Sequence, residues 1–189
     1  MRNITLNVLA STALALVLTA CGDDEGSPDA AEASAGASLG DAQVKAITAA
    51  EICDNLTPDE VSDAIGLEAT SARADDDATP QCLYDLTGSD GALVGLVVAG
   101  MRPESEVGGK TGDAAFDYVL DLNRSYAGES GLEESTVAAG DRATHLKGAS
   151  LHFGLVATGG HLITVALPVA DADDAAFEAL LAAVGSELG

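Results

Sequence analysis

Three histidines, His145, His152 and His161, all lie in the C-terminal half of the chain. Imidazole nitrogens bind zinc and its neighbours in the transition series, so histidines gathered from adjacent strands could form a metal centre. The spacing decides whether they meet. SLHFGLVAT and HLITVALPV flank Gly159-Gly160, a two-residue hairpin turn. Pairing Thr158 with His161 puts His152 opposite Leu167, far from His161, and leaves His145 one strand away from His152. No His-x-x-x-His spacing occurs. Ordinary surface or strand-end histidines are the expectation, with no metal and no cofactor.

Other patterns approach known chemistry and miss it. Gly108-Gly109-Lys110-Thr111 imitates a phosphate-binding loop, but that pattern demands Gly at position 104, which is Glu104. ADDDA (74–78) and DADDA (171–175) suggest calcium loops, but reading from Asp171 places Ala176 and Ala182 where Gly and Glu are required. A solvated loop and a helix N-terminus are the expected alternatives. Gly128-Glu129-Ser130-Gly131 falls short of a nucleophile elbow because Leu132 takes the last slot. No catalytic residue is assigned, and the chain is expected not to be an enzyme.

The cysteines carry a stronger signal. Residues 1–20 hold one early positive charge, Arg2, and an apolar stretch densest from Val8 to Leu18, the proportions of a secretory signal peptide. The stretch is too short and too broken by Asn7, Ser11 and Thr12 for a membrane span. It ends in Leu18-Thr19-Ala20-Cys21, which resembles the bacterial lipobox. The Cys21 thiol would accept a diacylglyceryl group, and cleavage before it would leave a lipidated N-terminus. Acyl chains contribute about 0.8 kcal/mol per buried methylene. The expected address is the extracytoplasmic face of the cell membrane, with the membrane as partner through the anchor.

The composition sorts the remaining partners. The formal charge of −23 comes from 31 acidic against 8 basic residues, which excludes a nucleic-acid-binding face. Tryptophan is absent and aromatic residues are sparse, so stacking platforms are not expected. Residues 21–49 read as the lipidated cysteine and a flexible acidic stalk, because GDDEGSPDAAEASAGASLG cannot bury enough surface to order itself. Within that stretch Val44 and Ile47 suit either a short helix or an edge strand joining the domain.

Residues 50–189 are expected to form a single domain. Thr57, Pro58 and Glu60 make a capping box opening a helix, Leu56 and Val61 a hydrophobic staple, and Gly66 its stop. Strand-like runs follow at 81–86 and 92–99, then a helix over 113–127 with Phe116, Val119, Leu120 and Asn123 at helical spacing. ESTVAAGD, RATHLKG and the hairpin come next. In that hairpin Leu151, Phe153, Leu155, Leu162 and Ala166 share one face, and Val156, Ile163, Val165 and Leu167 the other, so both faces should be covered. The C-terminal DADDAAFEALLAAVGSEL aligns Phe177, Leu180, Leu181, Val184 and Leu188 on one helical stripe. The expected fold is α+β, a mainly antiparallel sheet with helices packed on it, in the order of a duplicated helix-plus-meander unit.

Cys53 and Cys82 remain once Cys21 is lipidated. In an oxidising compartment two cysteines most simply pair. Cys53-Asp-Asn-Leu-Thr-Pro-x-Glu-Val61, then Gly66, then Cys82-x-Tyr84, resembles a family of actinobacterial envelope lipoproteins defined as a domain of unknown function. Its members show Cys-x-Leu-Leu-Thr-x-x-Glu-Val and a later Cys followed by an aromatic residue; here Asn55 replaces one Leu, and Tyr84 stands where Trp is frequent. The resemblance spans about residues 50–188. It implies a lipidated, exported, disulfide-stapled domain and carries no catalytic residues. The function these readings support is a non-enzymatic binding or adaptor module for an envelope protein; the alternative is a carrier of a lipid or other apolar ligand.

Overall fold

The computed structural model describes residues 38–88, 91–127 and 132–189. The expected signal peptide, Cys21, the expected stalk up to residue 37, residues 89–90 and the Gly128–Gly131 stretch lie outside the described residues. The order is α1 (Ala49–Asn55), α2 (Pro58–Ile65), β1 (Glu68–Asp75), β2 (Gln81–Thr87), β3 (Leu93–Gly100), α3 (Gly112–Ala127), β4 (Glu133–Val137), β5 (Arg142–Lys147), β6 (Leu151–Thr158), β7 (His161–Pro168) and α4 (Asp174–Glu187). The strands form one seven-stranded sheet in the order β1-β2-β3-β7-β6-β5-β4, antiparallel throughout. Two meanders thus meet where β3 pairs with β7. The fold is α+β, as expected.

The β6–β7 hairpin has the expected register, with Thr158 opposite His161 and His152 opposite Leu167. Val156, Ile163, Val165 and Leu167 sit in a core with α1, α2 and α4. Leu155, Ala157 and Leu162 sit in a second core with α3, and Phe153 packs against it. The helix of each half therefore covers a different face: α2 the first, α3 the second.

Local grammar builds the helices. Thr57 and Glu60 form the expected capping box, and Gly66 closes α2 in the left-handed conformation. Thr48 and Glu51 form a second box that opens α1. In α4, Asp173 caps the N-terminus by accepting from the Ala176 amide. Cys53 of α1 and Cys82 of β2 stand at disulfide distance, Cα to Cα 5.3 Å. Beside them the Tyr84 hydroxyl donates to the Leu56 carbonyl at 2.6 Å and ties the end of α1 to the sheet.

One boundary moves. Residues 38–49, placed in the stalk by composition, pack on the domain. The Lys45 amide donates to the Gly160 carbonyl at 2.8 Å, and Ile47 is buried. Gly100 admits it, because a Cβ there would lie 2.2 Å from an Ile47 methyl. Residues 42–48 fall in neither helix nor strand, so the segment joins the domain through its contacts at the β6–β7 turn and not as the short helix or edge strand that Val44 and Ile47 suited.

The C-terminal part of α4 lies close on the loop between β4 and β5 because small residues permit it. A Cβ at Gly185 would sit 2.4 Å from the Gly140 backbone nitrogen, which cannot yield as a side-chain tip can. Gly185→Ala is expected to destabilise the domain by about 1–3 kcal/mol, an overpacking cost read from urea unfolding.

Candidate functional site

Two of the three histidines, His145 and His152, are buried rather than on the surface, while His161 is half-exposed at the start of β7, the strand-end position expected of it. His145 of β5 pairs with Gly154 of β6, and Lys147 pairs with His152. His145 and His152 are therefore diagonal neighbours on the face that α4 covers, within reach for rings. His145 Nε2 lies 2.9 Å from His152 Nδ1. Both rings rest on Phe177 of α4, with centroids 4.9 Å away, and His152 stacks on it at 19°. His161 remains at the hairpin turn, bonded to the Lys45 carbonyl at 3.1 Å.

The protons on these rings follow from their partners. His152 Nε2 lies 3.0 Å from the Ala172 carbonyl, which can only accept, so that nitrogen carries the proton. His152 Nδ1 in the neutral ring is then an acceptor, and His145 Nε2 donates to it. His145 Nδ1 faces Glu178 Oε1 at 3.6 Å. A neutral His145 thus turns a bare nitrogen toward a carboxylate. Protonation is opposed first by burial and then by His152, which hold the His145 pKa below its usual value although Glu178 pulls the other way.

Helix α4 supplies two carboxylates to this corner, Asp174 and Glu178, one turn apart and flanking Phe177. Asp174 receives the Lys147 ammonium at 2.9 Å, and that contact, ahead of the histidines, holds its carboxyl below the usual range. One atom each of His145, His152 and Asp174 lie within 4.8 Å of one another. Glu133, Glu134 and Ser135 of β4 border the opening. Sequence reasoning reached the possible His145–His152 meeting but not the acidic partners. Their signal was the spacing of Asp174 and Glu178 on either side of Phe177 in an otherwise apolar helix.

The remaining patterns resolve into structure. The amide of Gly112 donates to Ala42 O at 2.8 Å and that of Asp113 to Gly40 O at 3.3 Å, so backbone carbonyls occupy the α3 terminus next to the phosphate-loop look-alike. Lys110 lies over the Tyr118 ring. Asp75 ends β1, Asp76 accepts from the Ala49 amide, and Asp173 caps α4.

The second sheet face is only partly covered. Helix α3 packs on β5 and β6. Beyond it the paired residues Leu83, Val97, Ala166 and Phe153 form a half-exposed row across β2, β3, β7 and β6. Leu93 is 76% exposed on this face, and Tyr126 on α3 is 77% exposed. Between helix and strands runs a cleft of about 390 Å³ bordered by Ala99, Met101, Tyr118, Leu122 and Asn123. Asn123 is buried, and its side-chain amide nitrogen has no hydrogen-bond partner among the described residues. A second cleft, beside Leu39, Val44 and Leu162, measures about 260 Å³.

No family model, no curated protein and no solved structure matches the chain.

Proposed function

We propose that the chain is a lipid-anchored domain on the extracytoplasmic face of the cell membrane that binds another envelope protein and performs no catalysis. The lipobox-like Leu18-Thr19-Ala20-Cys21 and the paired Cys53 and Cys82 support the address, and so does the likeness to the envelope lipoprotein family. The binding role rests on one observation: the half-exposed apolar row beside α3 and the cleft of about 390 Å³ that runs along it. Exposed tyrosines beside aliphatic residues are the composition of protein interfaces. The charge of −23 selects a partner with a basic rim. An apolar carrier needs an enclosed cavity for its cargo. Here side chains fill the cores on the two sheet faces, so a protein partner is preferred.

One experiment tests both halves. Cells fed a clickable fatty acid should label the chain, and Cys21→Ala should abolish the label. Crosslinking in the native envelope should then capture a protein that Val97→Asp, a change at a half-exposed position, no longer captures. The captured complex should weaken as salt rises. Absence of label refutes the anchor, and capture that Val97→Asp leaves intact refutes the interface.

A further inference from the structure

We propose that His145, His152 and Asp174 bind one divalent transition-metal ion of the zinc class, with Glu178 and the Ala172 carbonyl orienting the two imidazoles. The inference is independent of the anchor and of the protein partner, because it concerns the opposite face of the sheet.

The argument starts from the protons. In the free site His145 Nε2 must donate to His152 Nδ1, which leaves His145 Nδ1 bare against Glu178. A cation between the two inner nitrogens reverses this. It takes the lone pairs of His145 Nε2 and His152 Nδ1, and the proton of His145 moves to Nδ1, where Glu178 accepts it. His152 Nε2 keeps its proton on Ala172 O. Every ring nitrogen then has a complementary partner. A carboxylate behind one ligating imidazole and a backbone carbonyl behind the other is the outer-shell arrangement that zinc-binding histidines use.

The distances allow it. Nitrogens bound tetrahedrally at about 2.0–2.1 Å from zinc stand about 3.3 Å apart. The two facing nitrogens, His145 Nε2 and His152 Nδ1, are 2.9 Å apart, and Asp174 Oδ1 is 4.0 Å from His152 Nδ1. The rings must part slightly and the carboxylate must move in. Asp174 is free to do so, since its side chain is half exposed in the first turn of α4. Two imidazoles and one carboxylate favour zinc, copper or nickel over calcium and magnesium, which take oxygen ligands. Three protein ligands leave a fourth position, toward the opening beside Glu134 and Ser135.

Lys147 makes the proposal testable in an unusual direction. Its ammonium holds Asp174 in the free site and must release that carboxylate to the ion. Removing the ammonium should therefore improve binding, which general damage to the fold would not do. The untagged full chain, purified in detergent and stripped with chelator, is titrated with Zn²⁺ against a chromophoric indicator, with Ca²⁺ as control. The expected result is about one zinc per chain and no calcium. Glu178→Gln should weaken zinc binding on the order of 10–100-fold, as loss of an outer-shell partner does, and Asp174→Asn, which removes a ligand, at least as much. Lys147→Met should tighten it. All three positions are partly exposed, so the variants keep the core intact. Failure to bind zinc near one equivalent, or an affinity that Asp174→Asn and Glu178→Gln both leave unchanged, would overturn the assignment.

Discussion

Replacing Cys53 and Cys82 together by alanine is expected to lower stability by about 3–4 kcal/mol, the chain-entropy value for a loop of this length. The loop closes over a sequence separation of 29 and contains α2 and β1. In a domain of this size the thermal midpoint should fall by roughly 7–15 °C. The bond matters because of what it holds. Helix α1 has only two turns, too short to be stable alone. It is held to the sheet by Ile52, by the Tyr84–Leu56 hydrogen bond and by the cystine. Edge strand β1 contributes mostly alanines to the core and depends on α1 and α2 for cover. Loss of the bridge therefore loosens the β1 edge first. Thermal unfolding followed by circular dichroism, with the double variant beside the parent chain, measures the effect. An unchanged midpoint would mean that the remaining contacts of α1 suffice to hold it on the sheet.

Local rules made much of this fold legible. The helix α2 followed from its capping residues, and the β6–β7 register from Gly159-Gly160. The same capping grammar in Thr48-Ala-Ala-Glu51 announces α1, but the acidic, small-residue context around it reads as stalk. Strand β1 was hidden for another reason. EATSARAD has no Val, Ile or aromatic residue, and a bulge between Ala69 and Ser71 breaks its alternation. Its inward residues are alanines, which pack against the first core only as partners of larger side chains on α2 and β2. The histidine corner was half legible. Its meeting depends on the β5–β6 register, set by a loop in which the Gly148 amide donates to Leu151 O, and no two-residue turn marks that register in the sequence. Asp174 and Glu178 arrive through the docking of α4, a tertiary event that periodicity locates on the helix but not on the sheet.

That docking is the second large effect. Phe177 is fully buried and joins α4 to the sheet at the histidine pair. Phe177→Ala is expected to cost about 3–5 kcal/mol, the range for emptying a buried aromatic site. The void would open beside two imidazoles, polar rings that give an entering water hydrogen-bond partners where Phe177 had been. Phe177→Leu separates packing from ring stacking. It keeps most of the volume and should cost less than about 1.5 kcal/mol. Urea unfolding at constant slope ranks the three chains, because an unchanged slope shows that the same surface is exposed in each. If Phe177→Ala proved no worse than Phe177→Leu, the ring would not be what fastens α4. The placement of Asp174 and Glu178 beside His145 would then have to come from the other core contacts of α4, those of Leu180, Leu181, Val184 and Leu188. A large gap between the two variants instead makes Phe177 the pivot on which both the first core and the histidine corner are set.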